Sequence, residues 1–111
     1  MIRNYFLGMV ASGLMLVSMQ APAATPDYVT DVYLCGPNII QIFLKSGIVL
    51  EADFTDSTNM TAGLFNQIYA MGLELLASGK QVGYYNNLKT ETSCGRSGVI
   101  EINAFMASST P

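Results

Sequence analysis

The sequence predicts an α+β, mainly β fold. Five strands and one helix follow in the order β-β-β-α-β-β. The strands are expected to pair as an antiparallel sheet, closed into an OB-like barrel or left as a curled sheet with the helix on one face. Three observations carry this. Five short segments alternate in polarity or are rich in β-branched residues, and Gly, Pro and Asn turns separate them. A single stripe of helical period runs over about 60–78. The chain left after a predicted leader is roughly 90 residues, too short to bury both faces of a wide open sheet. Three strands, a helix and two strands is also the element order of the five-stranded OB barrel.

In "YVTDVYLCG", Val32 and Leu34 fall on one face and Asp31 and Tyr33 on the other, as in a half-buried strand. "GPN" at 36–38 is a turn, and "IIQIFLKSG" is a second strand rich in Ile and Phe. "KSG" at 45–47 turns the chain into a third strand, "IVLEADF". Asp56, Ser57, Thr58 and Asn59 are all good N-cap types, so the helix is expected to start within them. Phe65, Ile68, Gly72, Leu75 and Leu76 form its buried stripe, and Gly79 with Lys80 marks its end. "QVGYYNN" is the fourth strand, "LKTETSCGRSG" a polar loop and "VIEINAFMA" the fifth strand. In the last strand Ile100, Ile102 and Ala104 oppose Glu101 and Asn103.

The first 23 residues read as a signal peptide. Arg3 precedes the apolar run "YFLGMVASGLMLVSM", and Ala21 and Ala23 occupy the −3 and −1 positions of a cleavage site. The run is shorter than the ~20 residues a spanning helix needs, so no membrane span is expected after cleavage. Residues 24–111 then form one small domain, secreted or periplasmic. In such a compartment the two cysteines, Cys35 and Cys94, are expected to form a structural disulfide. The domain carries Lys45, Lys80, Lys89 and Arg96 against eight carboxylates. That balance argues against nucleic acid, whose binding rests on phosphate neutralisation.

The catalytic inventory is thin. There is no histidine, so the commonest general base and metal ligand is missing, and a bridge would consume both thiols. No cofactor motif is present, and the chain is not expected to be an enzyme. "EADFTDSTN" brings Glu51, Asp53 and Asp56 together as a possible calcium site or carboxylate pair. Its spacing does not fit an EF-hand, and a strand end followed by a helix cap accounts for it. A Glu51/Glu101 dyad requires neighbouring strands; exposed solubilising carboxylates are the simpler reading. Tyr84 and Tyr85 must face opposite sides of a strand, one towards the core and one outward. The outward ring, with Asn86 and Asn87, is a candidate sugar- or protein-binding patch, and cross-strand pairing is its structural counterpart. Arg96, on the Gly-flanked "CGRSG", could hold a carboxylate. Leu64, Tyr69, Met71 and Leu73 lie off the helix stripe and suggest self-association or a partner surface.

The step "LLASGKQVGYYNN", from a helix through Gly into a tyrosine-rich strand, resembles the B-subunits of AB5 toxins of the pertussis and subtilase type. It is similar also to small exported bacterial proteins that place a helix, "SGK", a short strand and a cysteine in that order. The likeness covers residues 28–106 in element order and 65–94 in local pattern. It implies an OB-fold and a homo-oligomeric ring. Subtilase-type subunits carry longer loops and more cysteines, so no sugar-contacting residue is carried over. The expected function is an exported, non-enzymatic binding or assembly domain for a glycan or an exported protein. The alternative is a monomeric periplasmic accessory or inhibitor protein.

Overall fold

A computed structural model describes residues 26–109. The predicted leader and its cleavage site lie outside the described residues. The elements are β1 (Val29–Leu34), β2 (Ile39–Leu44), β3 (Val49–Asp53), α1 (Ala62–Ser78), β4 (Val82–Ser93) and β5 (Arg96–Ala107). Among the described residues they form one mixed sheet, in the order β1-β2-β3-β5-β4, with one helix. Three neighbouring pairs are antiparallel, but β3 and β5 run parallel, with Leu50 opposite Ile100 and Glu51 opposite Glu101. The expectation of a wholly antiparallel sheet is therefore corrected. Both α1 and β4 lie between β3 and β5 in sequence, and a connection of that length lets β5 enter beside β3 in the same direction. The sheet is not closed by a ladder. Among the described residues its edges are joined at one end by the isolated antiparallel bridge Tyr28–Gln81, reinforced by Val82 N–H donating to Asp27 O at 2.9 Å.

The turns form where Gly permits a positive φ. Gly47 has φ 99°, and its N–H donates to Leu44 O at 2.9 Å, closing the β2–β3 hairpin. The helix starts later than expected. Asp56 organises the preceding turn, accepting from the backbone of Thr58 and Asn59, while Thr61 caps α1 by accepting from Leu64 N–H at 3.1 Å. Gly79, left-handed at φ 70°, donates to Leu75 O and ends the helix.

The core lies between α1 and one face of the sheet, with Ile40, Ile42, Leu50, Ala52, Ile68, Leu75 and Ile102 all buried. Gly72 faces Ile42, and a Cβ there would sit 3.2 Å from Ile42 Cδ1, so the missing side chain sets how closely the helix approaches. Leu76, expected in the buried stripe, is exposed, as is Leu34 at the end of β1. Conversely Leu64, Tyr69 and Met71 pack against the core, leaving Leu73 exposed among the off-stripe residues. The buried stripe follows Ile68, Gly72 and Leu75, which turns Leu76 away from the sheet.

The segment read as a polar loop, 88–98, is the far half of a long hairpin. β4 runs to Ser93, β5 begins at Arg96, and the connection is the two residues Cys94 (φ 53°) and Gly95 (φ 77°). Two successive positive φ values make a primed hairpin turn, whose twist matches the flanking strands. Cys94 is bonded to Cys35 at the end of β1, with their Cα atoms 6.3 Å apart. The bridge ties the hairpin end to the opposite edge of the sheet. No helix among the described residues is long and apolar enough to cross a membrane.

Candidate functional site

The hairpin end folds over the sheet face opposite α1. On β2 and β3, Ile40, Ile42, Leu50 and Ala52 point to the helix, so Gln41 and Glu51 point away from it. That face is not solvated, because residues 91–96 cover it. Gln41 Nε2 donates to Ser93 O and to Glu51 Oε1, each at 3.2 Å. Arg96 Nε donates to Gln41 Oε1 at 3.1 Å, and its guanidinium lies 4.5 Å from the Phe43 ring centroid. Gln41, Glu51 and Glu101 are thereby 0%, 0% and 1% exposed.

Strand register aligns the chemistry. Gln41, Glu51, Glu101 and Lys89 stand in one row across β2, β3, β5 and β4. Asp53 and Glu91 flank the row, and carboxylate oxygens of Glu51, Asp53 and Glu91 lie within 4.8 Å of one another. Asp56 reaches Glu101 from the loop before α1. Among the described residues the cation between these groups is Lys89, whose Nζ lies 3.5 Å from Glu101 Oε1 and 3.7 Å from Glu91 Oε1. The dyad of Glu51 and Glu101 thus exists as neighbouring side chains, but both are buried, which corrects the reading of them as surface solubilisers.

Crowding carboxylates under a protein layer disfavours their charged forms. Glu91 is pushed up to about 7, first by the carboxyl of Glu51 and then by burial. Glu101 is pushed up to about 7 by burial first and then by its hydrogen bond with Asp56. Asp56 is held below its ordinary value by the same bond to Glu101, followed by Asn59. The two opposite shifts describe one arrangement, in which Glu101 keeps the proton and donates it to Asp56. With every carboxyl ionised no such donor exists, and Oε2 of both Glu51 and Glu101 is buried without a hydrogen-bond partner. Lys89 is raised by the negative charge of Glu101 and Glu91.

The tyrosine patch is a separate place. Tyr84 is 53% exposed and stands opposite Met106, also 53% exposed, whereas Tyr85 packs against the core. Asn86 donates to Asn103 Oδ1 at 2.7 Å and so serves the sheet, while Asn87 is exposed. Arg96 does not join this patch. It lies at the other end of the hairpin, roughly 30 Å of extended strand away, and Gln41 and Phe43 engage it. A groove of about 550 Å³ beside α1, lined by Leu64, Met71 and Phe105 together with Gln67 and Glu74, is mainly apolar. Sequence reasoning missed Glu91 and Lys89, which fell in the supposed loop; residues 89–93 are all polar, so no apolar–polar alternation marks them as strand.

The chain matches no known protein family, no curated protein and no solved structure.

Proposed function

We propose that the protein is an exported, non-enzymatic binding domain of the OB type whose contact surface is the base of the β4–β5 hairpin around Tyr84. The observation that carries this is the registered pair of Tyr84 and Met106, a large aromatic and a large apolar side chain both more than half exposed and unused by the core. A tyrosine offers a flat apolar face with a hydroxyl at its rim, suited to a sugar ring or a partner side chain. Asn87 adds hydrogen-bonding capacity on the same strand.

The OB reading is supported by the strand order β1-β2-β3-β5-β4 and by the Tyr28–Gln81 bridge, which brings the two edge strands together at one end in a partly open barrel. The absence of catalysis is supported by the carboxylates: the pair nearest to an acid–base dyad, Glu51 and Glu101, is sealed from substrate by the hairpin. A glycan array with wild type and Tyr84→Ala tests the surface. Retention of a glycan class by wild type and its loss in Tyr84→Ala is the expected result. No retention, or retention equal in both, removes the glycan form of the proposal.

A further inference from the structure

We propose that Glu51, Asp53 and Glu91 form a binding site for a hard divalent cation of the calcium class, which clamps the end of the β4–β5 hairpin onto β3. The proposal is independent of the tyrosine surface. Its geometry begins with three carboxylates whose oxygens converge within 4.8 Å, two from β3 and one from the layer that covers it. Each engages one named oxygen with protein: Glu51 Oε1 accepts from Gln41, Asp53 Oδ1 from Thr55, and Glu91 Oε1 faces Lys89. The second oxygen of Glu51 is the decisive atom. It is wholly buried, belongs to a residue that is 0% exposed, and has no hydrogen-bond partner. An ionised carboxylate left in that condition is strongly disfavoured unless a positive charge reaches it.

Lys89 is not that charge, since its Nζ lies on Glu91 Oε1 and Glu101 Oε1 rather than on Glu51. Its side chain is 59% exposed and can withdraw into solvent when a divalent ion enters. A proton shared between Glu51 and Glu91 is the competing solution, but it does not serve Asp53, whose carboxylate converges on the same point. The donor set decides the class of ion. It is oxygen only, with no histidine in the chain and both thiols in the disulfide, and so favours Ca²⁺ over Zn²⁺ or Cu²⁺. Ca²⁺ accepts monodentate and bidentate carboxylates at irregular angles, whereas Mg²⁺ requires a near-ideal octahedron.

The test is isothermal titration of the oxidised protein, expressed from the full chain and freed of metal with a chelator, at pH 8. Wild type is expected to bind one Ca²⁺ per chain, more tightly than Mg²⁺, and to gain several degrees in thermal midpoint on loading. Glu51→Gln and Glu91→Gln should each weaken Ca²⁺ at least about tenfold, while Glu74→Gln on the exposed face of α1 should not. Glu91 lies at the margin of the buried group, so its variant reports even if Glu51→Gln fails to fold. No Ca²⁺ binding by wild type up to about 10 mM, beyond the range of extracellular calcium modules, would overturn the proposal and leave the shared proton as the solution. Binding unchanged in the Glu91 variant, or Mg²⁺ preferred over Ca²⁺, would overturn it as well.

Discussion

Replacing Glu101 by glutamine should stabilise the protein at pH 8 and have little effect at pH 4.5. Glu101 is 1% exposed and is shifted from its ordinary 4.5 to about 7, so the native state resists its ionisation. The unfolded chain releases this proton near 4.5 and the native protein only near 7. Between these values the native state holds more protons than the unfolded state, and stability falls as pH rises. Below the lower value both states are protonated and the penalty vanishes; above the upper one it is complete. At ~1.4 kcal/mol for each tenfold change in proton affinity, the full penalty is about 3 kcal/mol. Glutamine avoids it while keeping the geometry, because its amide N–H can donate to Asp56 and its Oε1 can still face Lys89. Urea unfolding followed by far-UV circular dichroism, in buffers containing chelator from pH 4 to 8, gives two stability curves. Their difference should open between pH 4.5 and 7, towards about 3 kcal/mol in favour of the variant. Taking the difference removes the contribution of Glu91, which acts in the same direction. A variant less stable than wild type at pH 8, or a difference that does not change with pH, would refute the placement of a proton on Glu101.

Two further expectations follow from the hairpin. Replacing both Cys35 and Cys94 by serine removes a cross-link spanning 59 residues; the loss should approach about 4 kcal/mol on the loop-closure model, and a change in urea midpoint worth less than about 1 kcal/mol would contradict it. Gly83→Ala would bring a Cβ to 2.6 Å from Ala107 O and 2.7 Å from Ser108 N, both backbone atoms. It should cost about 2 kcal/mol or more and weaken hydrogen-exchange protection first at the base of β4–β5; an unchanged exchange pattern would argue against so close an approach.

Element type was legible wherever a short segment decides it. The three N-terminal strands, the helix with its Gly79 stop and the division of Tyr84 from Tyr85 follow from period and turn chemistry alone. Pairing order was not legible. Nothing local to "VIEINAFMA" says that it enters beside β3 rather than at the edge, since that depends on where α1 and β4 leave the chain. Burial of Glu51 and Glu101 was hidden for a related reason. Alternation tells which face of a strand a residue occupies, not whether a second layer covers that face. Here the layer is the end of β4–β5, built of Lys, Thr, Glu and Ser without an apolar stripe, and so it looked like a loop. The helix start was misplaced because Asp56 through Asn59 and Thr61 are all competent caps; Asp56 was taken by the preceding turn and Thr61 by the helix.

The place of β5 bears on how the chain can come to be folded. The last strand in sequence is an interior strand of the sheet, with β3 on one side and β4 on the other. As the polypeptide emerges from its N-terminus, β1 to β3 can pair as a meander, but β3 keeps an open edge and β4 has no ladder until residues 96–107 arrive. Cys94 appears just before that strand, so its bond to Cys35 and the insertion of β5 belong to the same late event. Completion of the sheet is therefore late in the order of its strands and close to all-or-none. A chain cut short by a dozen residues at its C-terminus would lose the middle of its sheet rather than its margin.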